Sequence, residues 1–255
     1  MTSTTPNLLV TPAELAGELV VVEGDAYRHL FRARRLERHA RLRLVDGEGR
    51  ARWAEVAALD RKRAELRLLD PAATNDPARR VELFVAAPRP ERAAWLVEKA
   101  TELGVAAVRF VAAERAVRGV DGKALARLRR VAAAALEQCG GARLPLLSGP
   151  HAIAELPAQL AVGMSLFVLD PAARTSLPAY GDGAAAVLVG PEGGWTDAEI
   201  ESLRAAGAVP VSLGERVLRV ETAAVAAASL LLLPLRPGLG PGATMIGNPP
   251  ARSRP

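Results

Sequence analysis

The sequence holds little of the chemistry that disulfides and metal sites require. It contains one cysteine, Cys139, so it cannot form an internal disulfide, and nothing in it points to an oxidising compartment. Its histidines lie far apart, and no spacing typical of a zinc site occurs. We therefore expect a protein that binds no metal.

Long hydrophobic runs and targeting signals are also missing. The longest apolar run, residues 223–235, is too short to span a bilayer and is interrupted by Ser229. The first residues, MTSTTPNLLVTPAEL, have neither the basic start nor the long apolar core of a signal peptide. These features predict a cytoplasmic protein with no membrane partner.

Length and charge set wide limits. A chain of 255 residues, half of them hydrophobic, predicts a globular protein with one large or two small domains. The 33 basic and 28 acidic residues give a net charge of +5, which is compatible with a polyanionic partner. Arginine and alanine are abundant throughout the chain, so a compositional bias of the source can explain part of that charge.

The first part of the chain, residues 1–72, has the pattern of a small β-rich domain, which we interpret as a barrel. Apolar and polar residues alternate as they do in strands with one wet face. The turn Asp46-Gly47-Glu48-Gly49 predicts a hairpin between two of these strands. The predicted strands are residues 19–22, 40–45, 52–59 and 64–69.

A basic segment separates the first two of these strands. Residues 28–43 contain seven arginines and one acidic residue. A helix over residues 26–36 would place Arg28, Arg32 and Arg35 on one face and turn Leu30, Ala33 and Leu36 inward. The planar guanidinium suits phosphate, and Tyr27 or Phe31 would stack on a base. We expect RNA contacts here, and a merely solvated basic face is the alternative. The candidate residues are Arg28, Arg32, Arg34 and Arg35.

The turn-rich stretch PAATNDP, residues 71–77, predicts a domain boundary. Beyond it strands and helices alternate, which predicts an α/β domain over residues 75–236, with a mostly parallel sheet and helices on both faces. Residues 237–255 are rich in proline and glycine and predict a disordered tail. The predicted strands are 81–87, 105–111, 144–147, 166–169, 185–189 and 208–213, and the predicted helices are 91–103, 123–138 and 152–160.

A glycine turn follows one buried strand of this domain. The apolar run 184–189 stops at Gly190-Pro191-Glu192-Gly193-Gly194, and Thr196 with Glu199 then forms a helix capping box. Glycines let a ligand approach the backbone, although a tight connection without a ligand is the alternative. The turn lacks the Gly-Lys-Ser/Thr ending of a phosphate loop, and Glu192 would repel a pyrophosphate. A cationic sulfonium suits it better.

A second turn is expected beside the first. The short strand 208–213 runs into the polar stretch LGERVLRVETA, residues 213–223, and then into an alanine-rich helix. Both turns would leave the same ends of neighbouring strands, and open α/β sheets place ligands there.

Four stretches carry a resemblance to a known family. LVGPEGGWT and LGERVLRVETAAV resemble the cofactor loops of SPOUT-class RNA methyltransferases, and EKATELGV with Glu114-Arg115 strengthens the match. The sequence is most similar to the RsmE type, which methylates N3 of a uridine in small-subunit ribosomal RNA. The resemblance implies a trefoil-knotted catalytic domain, an N-terminal PUA-like domain and a homodimer. It also implies S-adenosylmethionine as cofactor and the ribosomal RNA or the 30S subunit as partner.

The resemblance further implies that the loops 169–171, 190–194 and 213–223 hold the cofactor. The residues concerned are Leu169, Asp170, Gly190, Pro191, Glu192, Gly193, Gly194, Leu213, Gly214, Val217, Leu218, Thr222 and Ala223.

Methylation at N3 needs a group that removes the uracil proton, and the target base must be unpaired or extruded. Glu221 is the candidate base, and Arg219 or Arg115 would stabilise the charge on the uracil oxygens. The alternative is that Glu221 and Thr222 only cap the following helix. Two other functions fit the same pattern: methylation of another position such as a ribose 2′-hydroxyl, or a ribosome assembly factor without turnover.

Overall fold

The computed structural model describes residues 5–116, 119–179 and 183–233, and the chain folds there around two sheets. The predicted tail, residues 237–255, lies outside the described residues. Within the described ranges no helix has the length and apolarity needed to cross a membrane. The same ranges contain no cluster of histidine, cysteine and acidic residues that could hold a metal ion.

The first sheet has five strands in the order β1-β3-β4-β5-β2 around a core of its own. The four predicted strands are present, each within two residues of its expected ends, and β1 was not predicted. The side chain of Asp46 accepts hydrogen bonds from the amides of Glu48 and Arg50, which shapes the predicted hairpin turn. The elements are β1 (Asn7–Leu9), α1 (Pro12–Ala16), β2 (Leu19–Glu23), α2 (Gly24–Tyr27), a π-helix (Arg28–Ala33), β3 (Arg41–Val45), β4 (Ala51–Leu59) and β5 (Arg63–Pro71).

The basic segment differs from the predicted helix over residues 26–36. Four α-helical residues pass into a π-helix that ends at Ala33, and Arg35 lies in the left-handed region with φ of 56°. Because the helix ends at Ala33, Arg35 lies beyond it, so the predicted ridge of Arg28, Arg32 and Arg35 on one helix face does not form. Leu30 is buried as expected, but Ala33 is exposed.

The second sheet has six strands in the order β11-β9-β10-β6-β7-β8, and every pairing in it is parallel. This confirms the predicted α/β fold. Its elements are β6 (Val81–Ala86), α3 (Pro90–Leu103), β7 (Ala107–Ala112), α4 (Gly122–Cys139), β8 (Leu146–Ala152), a 3-10 helix (Ile153–Gln159), β9 (Ser165–Leu169), β10 (Ala185–Val189), α5 (Asp197–Ala205), β11 (Val209–Val211) and α6 (Val220–Leu232).

Helices cover both faces of this sheet. Along β6, Leu83 and Val85 pack into a core shared with α3, α4 and α6. The alternate residues Phe84 and Ala86 pack into a second core with α5 and the 3-10 helix. A strand buried on both faces has a continuous apolar sequence, as β10 does and as β6 does from Leu83 onward.

Four predicted features of this domain differ in the structure: one helix, two strands and one loop. The helix expected over residues 152–160 is the 3-10 helix, in which Pro157 follows Leu156. The strand expected over 144–147 begins and ends later, and the strand expected over 208–213 is shorter. The predicted polar loop 213–223 ends early, because α6 already begins at Val220.

The connection from β9 to β10 passes around β11. On one side β11 pairs with β9, and on the other the amide of Ser212 donates to the carbonyl of Thr175 at 2.8 Å. The amide of Leu177 donates in turn to the carbonyl of Ser212 at 3.0 Å. The chain leading to α6 therefore runs between two parts of one connection. This is the threading expected of a trefoil knot, an arrangement that very few folds contain.

Candidate functional site

A cavity of about 620 Å³ opens at the carboxyl ends of β9, β10 and β11. Its volume lies within the range typical of small-molecule sites. The loops that follow these three strands form its walls, as the sequence predicted. The predicted cofactor-binding residues that line it are Leu169, Asp170, Gly190, Pro191, Glu192, Gly194, Leu213, Gly214, Val217, Leu218 and Ala223.

Two of the predicted residues do not line this cavity. Thr222 is exposed on the first turn of α6. Gly193 lies against the side chain of Arg115, whose Cβ would be 3.3 Å from a Cβ added at this glycine. The assignment of both residues to the cofactor stays a prediction, and the structure gives Gly193 a packing reason as well.

The glycine turn is fixed by its own backbone and by the helix after it. Gly194 has φ of 70°, a left-handed value that favours glycine, and its amide donates to the carbonyl of Pro191 at 2.8 Å. Gly190 lies against the indole of Trp195, which would be 2.9 Å from an added Cβ. The predicted capping box between Thr196 and Glu199 starts α5. The turn is therefore preorganised on the edge of the cavity.

Arg115 supports this turn from the neighbouring loop. Its Nη1 donates to the carbonyl of Gly193 at 2.9 Å and to that of Trp195 at 3.4 Å. The amide of Glu114 donates to the carboxylate of Glu199 at 2.8 Å, which ties the same segment to α5. The loop after β7 thus holds the glycine turn in place. The predicted role of Arg115 in stabilising charge on the uracil stays a prediction.

Glu221 lies in the first turn of α6 and is buried, with 7% of its surface exposed. Its Oε2 is buried and has no hydrogen-bond partner within the described ranges. The residue preceding the helix is Arg219, which is exposed and makes no capping contact through its side chain. Among the described residues, no side-chain hydrogen bond from Glu221 or Thr222 caps the start of α6. An orphaned buried carboxylate oxygen costs free energy, which is typical of functional sites.

The partner of Glu221 is a residue that the sequence did not reveal. Arg92, in the first turn of α3, places its Nε 3.5 Å from Oε1 of Glu221. Its Nη1 lies 3.8 Å from Oε1 of Glu192, in the glycine turn. The sheet order explains the contact between Arg92 and Glu192. β6 and β10 are neighbouring strands, so the segments that follow them, which carry these two residues, meet at one edge of the sheet. That adjacency is not visible in the sequence around Arg92.

The sequence analysis also did not predict that α5 forms one wall of the cavity, although the residue spacing in this helix indicates it. The side of α5 that faces the cavity carries residues three, four and seven positions apart, which is the spacing of one helix face. Applied to the helix that follows the glycine turn, this spacing would have predicted these residues. They are Asp197, Ile200, Glu201 and Arg204, and Trp195 precedes them in the lining.

The charges around the cavity favour a cation. Asp170 and Glu192 come from two of the strand-end loops, and Asp197 and Glu201 come from α5. Basic side chains are fewer in the lining, where Arg204 and Arg216 are the only two within the described residues. Carboxylates near a positively charged ligand lower its energy, whereas they would repel a pyrophosphate.

The predicted RNA-contacting arginines lie on the surface of the N-terminal domain. Arg34 and Arg35 are exposed, Arg28 is paired with Asp25, and Arg32 donates to the carbonyl of Arg61 at 3.4 Å. This last contact shows that the basic segment meets the turn between β4 and β5. The exposed basic residues here, which the sequence analysis did not include, are Arg61 and Lys62 in the turn, beside the acidic Asp60, and Arg63 at the start of β5.

Tyr27 and Phe31 are not available for stacking on a base. Both are buried, and their rings stack on each other with centroids 5.1 Å apart. The hydroxyl of Tyr27 donates to the carbonyl of Asp60 at 2.6 Å. The expectation that either ring would face RNA was wrong, because α2 and the π-helix after it turn both rings into the core of the domain.

Comparison with known proteins adds independent findings. The model of a family described as RNA methyltransferase domain matches residues 74–232, and one described as RNA methyltransferase PUA domain matches residues 22–69. A ribosomal RNA small subunit methyltransferase E from Mycobacterium bovis is 34% identical over 222 residues, which are 83% of this chain and 85% of that protein. Its counterpart from Synechocystis is 29% identical over 224 residues, 85% and 73% of the two chains.

Solved structures of related proteins have the same fold as this chain. The crystal structure of a ribosomal RNA small subunit methyltransferase E from Neisseria gonorrhoeae, bound to S-adenosyl methionine, superposes with a TM-score of 0.80 at 28% identity. The match covers 89% of this chain and 96% of that one. A probable rRNA-methyltransferase from Porphyromonas gingivalis superposes with a TM-score of 0.74 at 28% identity, over 88% and 95% of the chains.

The parallel sheet, its threaded cleft and the separate PUA domain define an RNA methyltransferase of the SPOUT class. The resemblance found in the sequence is thereby confirmed. Because the matches extend over most of both chains, this chain belongs to the ribosomal RNA small subunit methyltransferase E family.

Proposed function

We propose that this chain transfers the methyl group of S-adenosylmethionine to N3 of a uridine in small-subunit ribosomal RNA. The observation that carries the proposal is the buried carboxylate of Glu221, which stands next to a cleft formed by three strand-end loops. The names of the related proteins support small-subunit ribosomal RNA as the substrate. The cofactor named with the Neisseria structure supports S-adenosylmethionine.

The residues of the cleft fit this cofactor. When bound, S-adenosylmethionine supplies an electrophilic methyl group on a positively charged sulfur. Asp170 and Glu192 lie in the lining and favour that charge. Gly190 has no side chain, so the indole of Trp195 can pack directly against it and form part of the cavity wall.

Glu221 has the properties of the base that this reaction needs. Uracil N3 carries a proton, so its lone pair becomes a nucleophile only as that proton leaves. The proton passes to the carboxylate of Glu221, N3 bonds to the methyl carbon, and the bond from that carbon to sulfur breaks. Arg219 is exposed two residues before Glu221, at the start of the same helix, and we assign to it the stabilisation of the negative charge that develops on the uracil oxygens.

The N-terminal domain is the proposed RNA-binding surface. Its candidate contacts are Arg28, Arg32, Arg34 and Arg35, extended by the turn of Arg61 and Lys62. Replacing Arg34 and Arg35 with glutamine should weaken binding of a ribosomal RNA fragment and lower the salt slope of log K by about 0.7 to 0.9 for each phosphate that is no longer neutralised. Calorimetry with S-adenosylmethionine should be unchanged. Arg130→Gln, an exposed change on α4, is the control.

A homodimer is also part of the proposal. Large apolar side chains are exposed on both α3 and α6, where Trp95 is 42% and Leu230 is 36% exposed. Contact with a second copy would bury this surface. Light scattering at micromolar concentration should give twice the mass of one chain, and a monomer would contradict the proposal. Because the proposed substrate is ribosomal RNA, we place the protein in the cytoplasm with the ribosomes.

Nucleoside mass spectrometry tests the reaction itself. Small-subunit RNA from a strain that lacks this chain should lose one 3-methyluridine, and expression of the chain should restore it. Loss of a ribose-methylated nucleoside instead would show that another position is the target. An unchanged RNA, together with retained cofactor binding, would favour an assembly factor without turnover.

A further inference from the structure

Arg92 joins the cofactor side of the cleft to the proposed base. Its guanidinium reaches Oε1 of Glu221 through Nε at 3.5 Å and Oε1 of Glu192 through Nη1 at 3.8 Å. Glu192 belongs to the glycine turn that lines the cavity, whereas Glu221 belongs to α6. One side chain from a third element, α3, therefore contacts both groups.

The two contacts differ in their surroundings. The side chain of Glu221 is 9% exposed, that of Arg92 is 31% exposed, and that of Glu192 is 50% exposed. A buried carboxylate needs a nearby cation. Within the described ranges, the cation that pairs with Glu221 is Arg92. The pair with Glu192 is half open to water and is therefore weaker by itself. The contact between Arg92 and Glu192 matters because it links the guanidinium to the glycine turn that lines the cavity.

We propose that Arg92 is a positioning residue that couples cofactor binding to the orientation of Glu221. Occupation of the cleft fixes the half-exposed side chain of Glu192 on the preorganised turn, Glu192 fixes the guanidinium, and the guanidinium holds Oε1 of Glu221. The other oxygen, Oε2, is then the one left to take a proton. This inference rests on the proposed function of Glu221 and adds a residue that acts through it.

The geometry explains why arginine suits this position. The guanidinium is planar and presents its Nε and Nη1 donors in fixed directions, so it can serve two carboxylates at once. A lysine carries one charged nitrogen at the end of a flexible chain. Arg92→Lys should therefore keep a charge near Glu221 and preserve folding, but it should not hold both carboxylates in register.

Kinetics of purified variants test the proposal. Arg92→Gln should lower kcat about 100-fold, because a misplaced reacting group costs about that factor, and should change KM for RNA less than about twofold. Arg92→Lys should recover no more than a small part of kcat while unfolding at the temperature of the unchanged protein. Arg130→Gln on α4 should behave like the unchanged protein. A kcat of Arg92→Gln within about threefold of the original would overturn the proposal.

Calorimetry with S-adenosylhomocysteine gives a readout that does not depend on turnover. Arg92→Gln and Glu192→Gln should each weaken binding about threefold, the range of an exposed ion pair, and the double variant should bind like either single one. Effects that multiply in the double variant would mean that the two residues act separately, which contradicts the coupling. Glu192 is half exposed, so its variant folds even if Arg92→Gln does not.

The outcome also separates this inference from the proposed function. If the unchanged chain binds no S-adenosylhomocysteine, the proposed function fails. If Glu221→Gln keeps full turnover, Glu221 is not the base and the role of Arg92 toward it falls, whatever the calorimetry shows. If Glu221→Gln is inactive while Arg92→Gln turns over normally, the proposed function stands and this inference alone is wrong.

Discussion

Two buried glutamates at opposite ends of the catalytic sheet have opposite surroundings. Glu82, at the amino end of β6, is 1% exposed, and its two oxygens accept hydrogen bonds of 2.6 to 2.9 Å from Arg80 and Arg109. Glu221, near the carboxyl ends of the strands, is 7% exposed and has an ionic contact of 3.5 Å to Arg92. Its second oxygen has no partner within the described part of the chain.

The difference indicates what each carboxylate does. The network around Glu82 continues from Arg109 to Gln159, His151 and Ser148, so its hydrogen bonds are satisfied inside the protein. A satisfied buried charge resists change and holds elements together. Glu221 lacks that satisfaction, which costs stability and leaves an acceptor for a substrate proton. Substitutions at the two positions should therefore separate stability from turnover.

The largest effect should come from Glu221→Gln. An amide cannot accept the N3 proton, and loss of a general base typically lowers turnover by a factor of about 100 to 10,000. The free energy of unfolding should change by less than about 1 kcal/mol, because the substitution removes a poorly compensated buried charge. Single-turnover methylation and urea denaturation measure the two quantities. Normal turnover would remove Glu221 from the reaction.

Glu82→Gln should lower the free energy of unfolding and leave the cofactor site intact, which is the reverse of the effect expected for Glu221→Gln. The amide leaves the guanidinium of Arg109, whose side chain is 13% exposed, without its counter-charge. Breaking such a pair costs about 3 kcal/mol of unfolding free energy. Affinity for S-adenosylmethionine should be unchanged at temperatures where the variant is folded. A variant as stable as the original would show that the closed network is not a stabilising feature.

A smaller effect is expected from Gly190→Ala at the carboxyl end. The added methyl group would lie 2.9 Å from the indole of Trp195, so the indole must shift within the wall of the cavity. Overpacking of this kind costs about 1 kcal/mol or more, and about 1 kcal/mol lost from the binding free energy lowers cofactor affinity about fivefold. Gly122→Ala is the matched control, since nothing lies within 4 Å of its added methyl group. Equal cofactor affinity in both variants would contradict this account of the wall.

The smallest effect concerns a third buried carboxylate, that of Asp46. Burial raises the pKa of Asp46, but hydrogen bonds from the amides of Arg50 and Glu48 and the Arg50 guanidinium outweigh it, so its pKa lies below the ordinary value. The ionised form therefore stabilises the folded state above the unfolded pKa of about 3.9, and this stabilisation is lost as pH falls through the lower folded value.

Comparison of the original with Asp46→Asn isolates this contribution. The difference in their unfolding free energies should be constant near neutral pH and should shrink below a pH of about 4. Urea denaturation at several pH values measures it. A difference that does not depend on pH would mean that the carboxylate charge plays no part in holding the turn.

Local signals in the sequence predicted much of the catalytic domain. The strand 185–189 was predicted with its observed ends, the capping box of Thr196 is present, and the helix predicted over residues 91–103 ends at Leu103 as expected. These features depend on residues close in the chain. For the same reason, two loops of the cleft, 190–194 and 213–223, were predicted from strand ends, whereas the loop 169–171 was implied by the family resemblance. The assignment of individual residues to cofactor and catalysis stays a prediction.

The features that the sequence analysis predicted wrongly or did not find have a common physical origin. Arg35 lies in a left-handed conformation after a π-helix, and no residue pattern in the basic segment distinguishes this from an α-helix. Tyr27 and Phe31 fill the core of the first domain, where packing overrides their suitability for bases. Arg92 meets Glu221 because α3 packs against α6, far along the chain. Each case depends on interactions between segments far apart in sequence.

The path of the chain around β11 has a consequence for biosynthesis. The segment that passes between β9 and Thr175 continues into α6, which supplies Glu221 and packs against β6 and β10. The cleft is therefore complete only after this helix has left the ribosome and passed the earlier connection. A growing chain that still lacks α6 also lacks Val220 and Ala223 of the cavity wall and the carboxylate of Glu221, so the site is assembled only near the end of synthesis of this domain.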